Sequence, residues 1–128
     1  MQHSTKTPTK AEQDRLDAIH AMPCIACEME AGYAKARKEQ PLEQPSRTEA
    51  HHIVDKGYRE HSGGHMATLP LCSWHHRGEL LYPLSGREMR QLHGPSFELS
   101  KKVFVALYGS ERDLLDIIDR RLSARNAA

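Results

Sequence analysis

The first helix of the chain is predicted by the spacing of its apolar positions. Leu16 and Ile19 fall on one face of a helix that spans residues 9–22. Thr9 is a suitable N-cap, and Glu12 lies three residues further on, which is the sequence pattern of a capping box. The pattern therefore predicts an amphipathic N-terminal helix that packs against a core.

Further helices are predicted in residues 85–124. Ser85 and Glu88 form a second capping-box pattern, and the segment 100–108 is helical in character, with Gly109 as its stop. The last helix carries an apolar stripe, and a chain this small can hardly leave so much leucine exposed. We therefore expect that stripe to pack on the core: Leu114, Leu115, Ile118 and Leu122.

The middle of the chain predicts a hairpin. Residues 48–54 and 66–71 are typical of short strands, and the polar segment 55–64 between them ends in two glycines. From Trp74 the pattern becomes helical again. The segment 28–44 is interrupted by glycine and prolines and predicts a variable loop or a short helix.

Together these elements predict an α+β fold in a single domain, residues 1–128, with the first eight residues disordered. The chain has 128 residues, of which 38% are hydrophobic and only 5% aromatic. Such a thin core favours an additional stabilising device, and a structural metal is one of the few available. The formal net charge of +1 does not by itself indicate nucleic-acid binding, so any DNA contact must come from local clusters of cations.

Four residues have the spacing of a closed zinc site. Cys24 and Cys27 are separated by two residues, and so are Cys72 and His75. Two such knuckles facing each other form a tetrahedral Cys3His site, which is typical of structural Zn2+. The alternative is that the three cysteines are small buried hydrophobic residues.

The compartment is predicted from the same cysteines and from the absence of targeting signals. The number of cysteines is odd, and two of them lie in a C-x-x-C, so a disulfide framework explains them poorly. No apolar run is long enough to span a bilayer, and the first residues lack the apolar region of a signal peptide. We therefore expect a cytoplasmic protein, in a bacterial or phage-infected host cytosol, without a membrane partner.

The paired histidines form a second constellation. His51 and His52 are adjacent on a predicted strand, so their side chains point to opposite faces, and one can bind a metal while the other faces a different target. His76 follows the zinc-ligand candidate His75 directly. The alternative is that these histidines are only structural. A zinc deaminase is excluded, because no histidine is followed two residues later by the glutamate of an H-x-E motif.

The motifs C-I-A-C, E-A-H-H-I-V, T-L-P-L-C-S-W-H-H-R-G and Y-G-S-E together resemble those of HNH (ββα-metal) nucleases. More narrowly, they look like the phage and prophage subgroup that includes the recombination-enhancement, RecA-dependent nucleases. The resemblance implies a hairpin and helix that surround one catalytic metal, within a zinc/HNH core of residues 23–80, braced by the zinc knuckle and flanked by N- and C-terminal helices.

The resemblance also implies roles for three histidines. His51 and His76 would be ligands of a catalytic divalent ion, and His52 would be the general base. The family's usual asparagine is replaced by Ala67, so its role must pass to backbone atoms or to Thr68. A third protein ligand stays open between two histidines, His65 and His93, with waters and the substrate phosphate as the alternative.

The chemistry implied is metal-dependent hydrolysis of a phosphodiester bond in DNA. Neutral imidazole is a suitable base for water, and a divalent ion stabilises the charge that develops on phosphate and leaving oxygens. The ion is left open among Mg2+, Mn2+, Ni2+ and Zn2+. Lys56, Arg59 and Arg77 lie closest to the site in sequence and are expected to contact the DNA backbone, with little sequence preference.

Partners and alternative functions follow from these interpretations. The subgroup resemblance implies RecA filaments as a partner. Two alternatives stay open: a non-catalytic, zinc-stabilised module that binds nucleic acid or protein, and a recombination accessory protein that cuts only with a filament. Metal stoichiometry separates a nuclease from a binding module, because only the nuclease needs a second, exchangeable ion.

Overall fold

A computed structural model describes residues 7–57 and 59–127 of the chain. Two antiparallel strands form the hairpin, and helices surround it. The elements in chain order are α1 (Lys10–Ala21), α2 (Ile25–Ala36), β1 (Thr48–His52), α3 (Arg59–Ser62), a 3-10 turn (Gly64–Met66), β2 (Thr68–Cys72), α4 (Ser73–Arg77), α5 (Gly86–His93), α6 (Lys101–Tyr108) and α7 (Glu111–Ala127). The predicted α+β class is confirmed. None of the helices described is long and apolar enough to cross a membrane.

The hairpin is a two-stranded ladder whose register places the histidines. His51 pairs with Leu69 and His52 with Thr68, so the two imidazoles leave β1 on opposite faces. Every residue of β2 is buried. β1 is largely only half-buried, but the inward face that carries His51 is covered by the helices.

Arg15 of α1 holds the hairpin against the last helix. It is largely buried, and its guanidinium donates to the hydroxyl and the carbonyl of Thr68 at 3.1 and 2.8 Å. A third bond, of 2.6 Å, goes to Asp119 of α7. Because a buried charge is tolerated only where it is paired and hydrogen-bonded, this arginine fixes how α1, β2 and α7 sit together.

The core is built where the helices meet β2. Trp74, Phe104 and Met89 are among its largest buried side chains, and Ile19 covers it from α1. The expected packing of α7 is confirmed, because its stripe lies in or against this core: Leu114, Leu115 and Ile118 are buried, and Leu122 packs against them.

The structure differs from the sequence prediction in two connecting segments. Residues 28–44 were expected to form a loop or short helix, but α2 continues to residue 36, starting from Cys24 as its N-cap. The loop 55–64 contains the short helix α3. Most of the predicted disordered segment, residues 1–6, lies outside the described residues.

Candidate active site and metal centre

The predicted Cys3His group is assembled at the junction of α2, β2 and α4. Cys24 caps α2 and Cys72 caps α4, so each helix begins at a sulfur atom. The Nδ1 atom of His75 lies 3.5, 3.4 and 3.3 Å from the Sγ atoms of Cys24, Cys27 and Cys72, and the sulfurs of Cys27 and Cys72 are 3.9 Å apart. All four ligand atoms lie within 4.8 Å of one another.

These distances fit a tetrahedral zinc ion. With Zn–S bonds of about 2.3 Å and Zn–N bonds of about 2.0 Å, tetrahedral geometry puts the donor atoms roughly 3.5–3.8 Å apart. His75 is completely buried, and its Nε2–H donates to the carbonyl of His93 at 2.7 Å, which leaves Nδ1 as the lone-pair nitrogen. Hydrogen bonds from the Cys24 and Cys27 thiols lower the pKa of Cys72 and favour the thiolate that zinc needs.

His51 lies on the buried face of β1, and only 5% of its surface is exposed. Its Nε2 lies 2.7 Å from a carboxylate oxygen of Glu111, the first residue of α7. The carboxylate accepts the Nε2 proton, so Nδ1 carries the lone pair. Nδ1 is buried and has no hydrogen-bond partner among the described residues. An orphaned buried nitrogen of this kind is suited to a metal ion.

His76 belongs to α4, and its ring centroid lies 5.0 Å from that of His51. Its Nδ1 donates to Glu49 at 2.8 Å, which leaves Nε2 as the lone-pair nitrogen. Arg77 binds both oxygens of the same carboxylate, at 2.9 and 2.7 Å, and lowers the pKa of Glu49. Burial lowers the pKa of His76, against the opposing effect of Glu49, and so favours the neutral ring that metal ligation requires.

His52 lies on the opposite face of β1 and has two side-chain partners. A guanidinium can only donate, so Arg59 donates to His52 Nδ1, at 2.5 Å. The remaining proton of His52 is therefore on Nε2, which donates to His65 Nδ1 at 2.8 Å. Burial first, and then the charge of Arg59, lower the pKa of His52 to about 4. The ring is neutral at physiological pH.

All three histidines line one open cavity of about 550 Å3. Arg59 and Arg77 line it as well, whereas Lys56 does not and is exposed in the neighbouring loop. The three predicted histidines and two of the three predicted DNA-contacting cations are therefore brought together, although His52 enters the cavity from the other face of the strand. Among the described residues, the Cys3His group is the only cluster of three or more close metal-ligand atoms.

His65 and His93, the two candidates for a third ligand of the catalytic ion, have other partners than His51 and His76. His65 pairs with His52 on the far face of β1. The carbonyl of His93 holds the zinc-site histidine instead. Neither ring is paired with His51 or His76 in the structure.

Backbone atoms and Thr68 form hydrogen bonds at the place where Ala67 replaces the family's asparagine. The carbonyl of Ala67 accepts from Ile53 at 3.1 Å, which extends the hairpin by one more bond. Thr68 donates from its hydroxyl to the carbonyl of His65 at 3.1 Å, and so anchors the residue that contacts His52.

Two site residues were missed by the sequence prediction, Glu49 and Glu111, and His65 was considered as a metal ligand rather than as the partner of His52. Glu49 and Glu111 both lie in motifs that were singled out, E-A-H-H-I-V and Y-G-S-E, but neither was given a role. Glu111 is sixty positions from His51 in the chain. Only its occurrence in the Y-G-S-E motif could have pointed to it.

Comparison with known families agrees with this geometry. The sequence model of the family described as "Recombination enhancement, RecA-dependent nuclease" matches residues 8–123, which include both groups of candidate ligands. The match extends over nearly the whole chain, from two residues before α1 into α7. This chain therefore belongs to the family of recombination-enhancement, RecA-dependent nucleases.

Proposed function

We propose that this protein is a DNA endonuclease of the HNH type, with a structural zinc in the Cys3His cluster and a catalytic divalent ion held by His51 and His76. One observation carries the proposal: the buried Nδ1 of His51 lacks a partner in the described structure, beside a second neutral histidine. Both rings donate a proton to a carboxylate on their other nitrogen, which is the usual arrangement of metal-binding histidines.

The zinc-site residues have a positioning function in this proposal. Cys72 and His75 fix the start of α4, and His76 is the next residue along that helix. Zinc therefore sets the place of one catalytic ligand without taking part in the reaction. The pairing of Cys72 with Thr48 in the hairpin register extends the same constraint to β1.

His52 acts on water as the general base. Its ring is neutral, and Nδ1 is the nitrogen with a lone pair, so the water proton moves to Nδ1 as the water oxygen bonds to phosphorus. The bond from phosphorus to the 3′ oxygen breaks and that oxygen takes a proton from solvent water, which leaves 5′-phosphate and 3′-hydroxyl ends. A divalent ion, when bound, supplies charge stabilisation to the phosphate and the leaving oxygen.

Arg59 must leave His52 before the base can work. Its guanidinium covers Nδ1, the nitrogen that receives the proton. A DNA phosphate competes for a guanidinium with charge-assisted hydrogen bonds, which are stronger than a bond to a neutral imidazole. We infer that substrate phosphate draws Arg59 away and uncovers the base.

The remaining cations contact the DNA backbone, with little sequence preference. Lys56 is exposed beside the cavity. Arg77 is already paired with Glu49 and Glu79, so we expect it to contribute less than Arg59. With few phosphate contacts, affinity for DNA is modest, which suits delivery by a partner such as a RecA filament.

A plasmid-nicking assay tests the proposal. Zinc-loaded protein is assayed with Mg2+, Mn2+, Ni2+ or Zn2+, each with and without RecA filaments. His52→Ala should lower the rate by about 10²- to 10⁴-fold, because a positioned general base typically contributes that much. His20→Ala, an exposed histidine of α1, is the control and should cut normally.

The outcomes separate the alternatives. Cleavage that appears only with filaments identifies a conditional nuclease. No cleavage by the wild-type protein under any of these conditions identifies a non-catalytic binding module. Undiminished nicking by His52→Ala contradicts the assignment of the base.

A further inference from the structure

Glu111 connects the last helix to the proposed active site. It opens α7 and is only 4% exposed. One of its carboxylate oxygens accepts from His51 Nε2 at 2.7 Å and from the backbone N–H of Val54 at 3.2 Å. The same oxygen therefore holds both the ring of His51 and the residue where β1 has just ended.

The burial of this carboxylate needs a reason beyond packing. A buried carboxylate is costly unless hydrogen bonds and charges compensate for lost hydration, and an apolar side chain here would avoid that cost. The start of a 17-residue helix offers partial compensation through its dipole. The carboxylate nevertheless directs its best bond at His51, whose other nitrogen is left without a partner in the described structure.

We propose that Glu111 is a positioning residue that fixes the ring of His51 with Nδ1 free for the catalytic ion, so that α7 helps to build the active site. This inference rests on the proposed function, because it assumes that His51 binds an ion. By accepting the Nε2 proton, Glu111 selects the tautomer and holds the ring orientation, and its charge raises the electron density on the ligating nitrogen.

The two carboxylate–histidine pairs, Glu111–His51 and Glu49–His76, should contribute differently to binding of the ion. The side chain of Glu49 is 29% exposed and shares its charge between His76 and Arg77. Glu111 is buried, and among the described side chains His51 is the one to which it is bonded. Loss of the Glu111 charge should therefore weaken ion binding more than loss of the Glu49 charge.

Manganese binding to zinc-loaded protein tests this inference without relying on cleavage. Thiolates favour zinc over Mn2+, so added Mn2+ reports the histidine site rather than the cysteine cluster. Free Mn2+ is measured by electron paramagnetic resonance during a titration. Glu111→Gln keeps the shape and an accepting oxygen but removes the charge, and should weaken Mn2+ binding by about tenfold.

Matched variants define the size of this effect. Asp116→Asn removes one charge from an exposed position of the same helix and should leave Mn2+ binding unchanged. Glu49→Gln should fall between that control and Glu111→Gln. His51→Ala should abolish the binding. A Glu111→Gln protein that binds Mn2+ as the wild type does, while His51→Ala does not, overturns the role of Glu111 alone.

A second measurement covers the case in which Glu111→Gln does not fold. In the wild-type protein the His51 Nε2 proton should give a slowly exchanging, downfield proton resonance, identified by its loss in His51→Asn. The absence of that resonance contradicts the hydrogen bond and, with it, the inference. Wild-type protein that binds no Mn2+ overturns the proposed function as well.

Discussion

The two histidine-bearing sites of this protein differ in how completely their ligands are assembled. In the Cys3His cluster, four donor atoms are in place around one point, and His75 is fully buried. In the cavity beside it, His51 and His76 stand 5.0 Å apart, and the site is open. A closed set of ligands retains its ion and stabilises the fold, whereas an open pair leaves room for exchange and for a substrate.

The largest expected effect comes from breaking the closed site. Cys72→Ser should lose zinc and cooperative folding together, because structural zinc contributes about 10–16 kcal/mol in small zinc-finger peptides, as much as the whole stability of a small domain. Zinc content and thermal unfolding followed by circular dichroism measure this. His93→Ala is the control, because it removes a nearby ring but keeps the carbonyl that holds His75. Normal unfolding of zinc-free Cys72→Ser would contradict the structural role.

Removal of the exchangeable ion should separate the two sites without a mutation. Brief dialysis against EDTA should abolish cleavage while the unfolding temperature and the zinc content stay unchanged, because only the open site exchanges quickly. Added Mn2+ should restore cleavage. If EDTA abolishes cleavage only as zinc is lost and the protein unfolds, the two regions do not have the separate functions assigned to them.

The smallest expected effect concerns the loop beside the open site. Arg112 donates to both oxygens of Asp55, at 2.9 Å each, and this lowers the pKa of Asp55. A lowered carboxylate pKa gives stability that is present above the unfolded-state pKa and is lost as pH falls through the folded-state pKa. Asp55→Asn should therefore unfold slightly earlier than the wild type at pH 7.

That difference should vanish in acid, below the folded-state pKa of Asp55. Scanning calorimetry at several pH values follows it, with Asp116→Asn as the control for a general change of charge. A difference that persists at the lowest pH points to packing rather than to the ion pair.

Local spacing in the sequence was enough to predict the Cys3His cluster, whereas the roles of the paired histidines came from the resemblance to a family. Cys24, Cys27, Cys72 and His75 were predicted by their intervals, and the cluster is confirmed. The hairpin was predicted from its apolar runs, and the α+β class from the hairpin together with the helices around it. The structure brings His51, His52 and His76 to one cavity, and their roles stay predictions.

Long-range pairing was not predictable from one sequence. Glu111 meets His51 where α7 packs against the hairpin, an arrangement that Arg15 helps to hold, and no local pattern carries that information. His65 was considered as a metal ligand, but the turn before β2 places it against His52 instead. α2 was obscured by Gly32, because glycine is a poor helix former, yet the helix starts from Cys24 as its N-cap and continues past Gly32.

Anomalous diffraction from crystals of the zinc-loaded protein soaked in Mn2+ tests the central claim most directly. Data at the zinc and manganese edges should locate two ions in each chain, zinc among Cys24, Cys27, Cys72 and His75, and manganese bound by His51 Nδ1 and His76 Nε2. A protein that cleaves DNA in Mn2+, but whose crystals contain manganese nowhere near His51 and His76, would contradict the account.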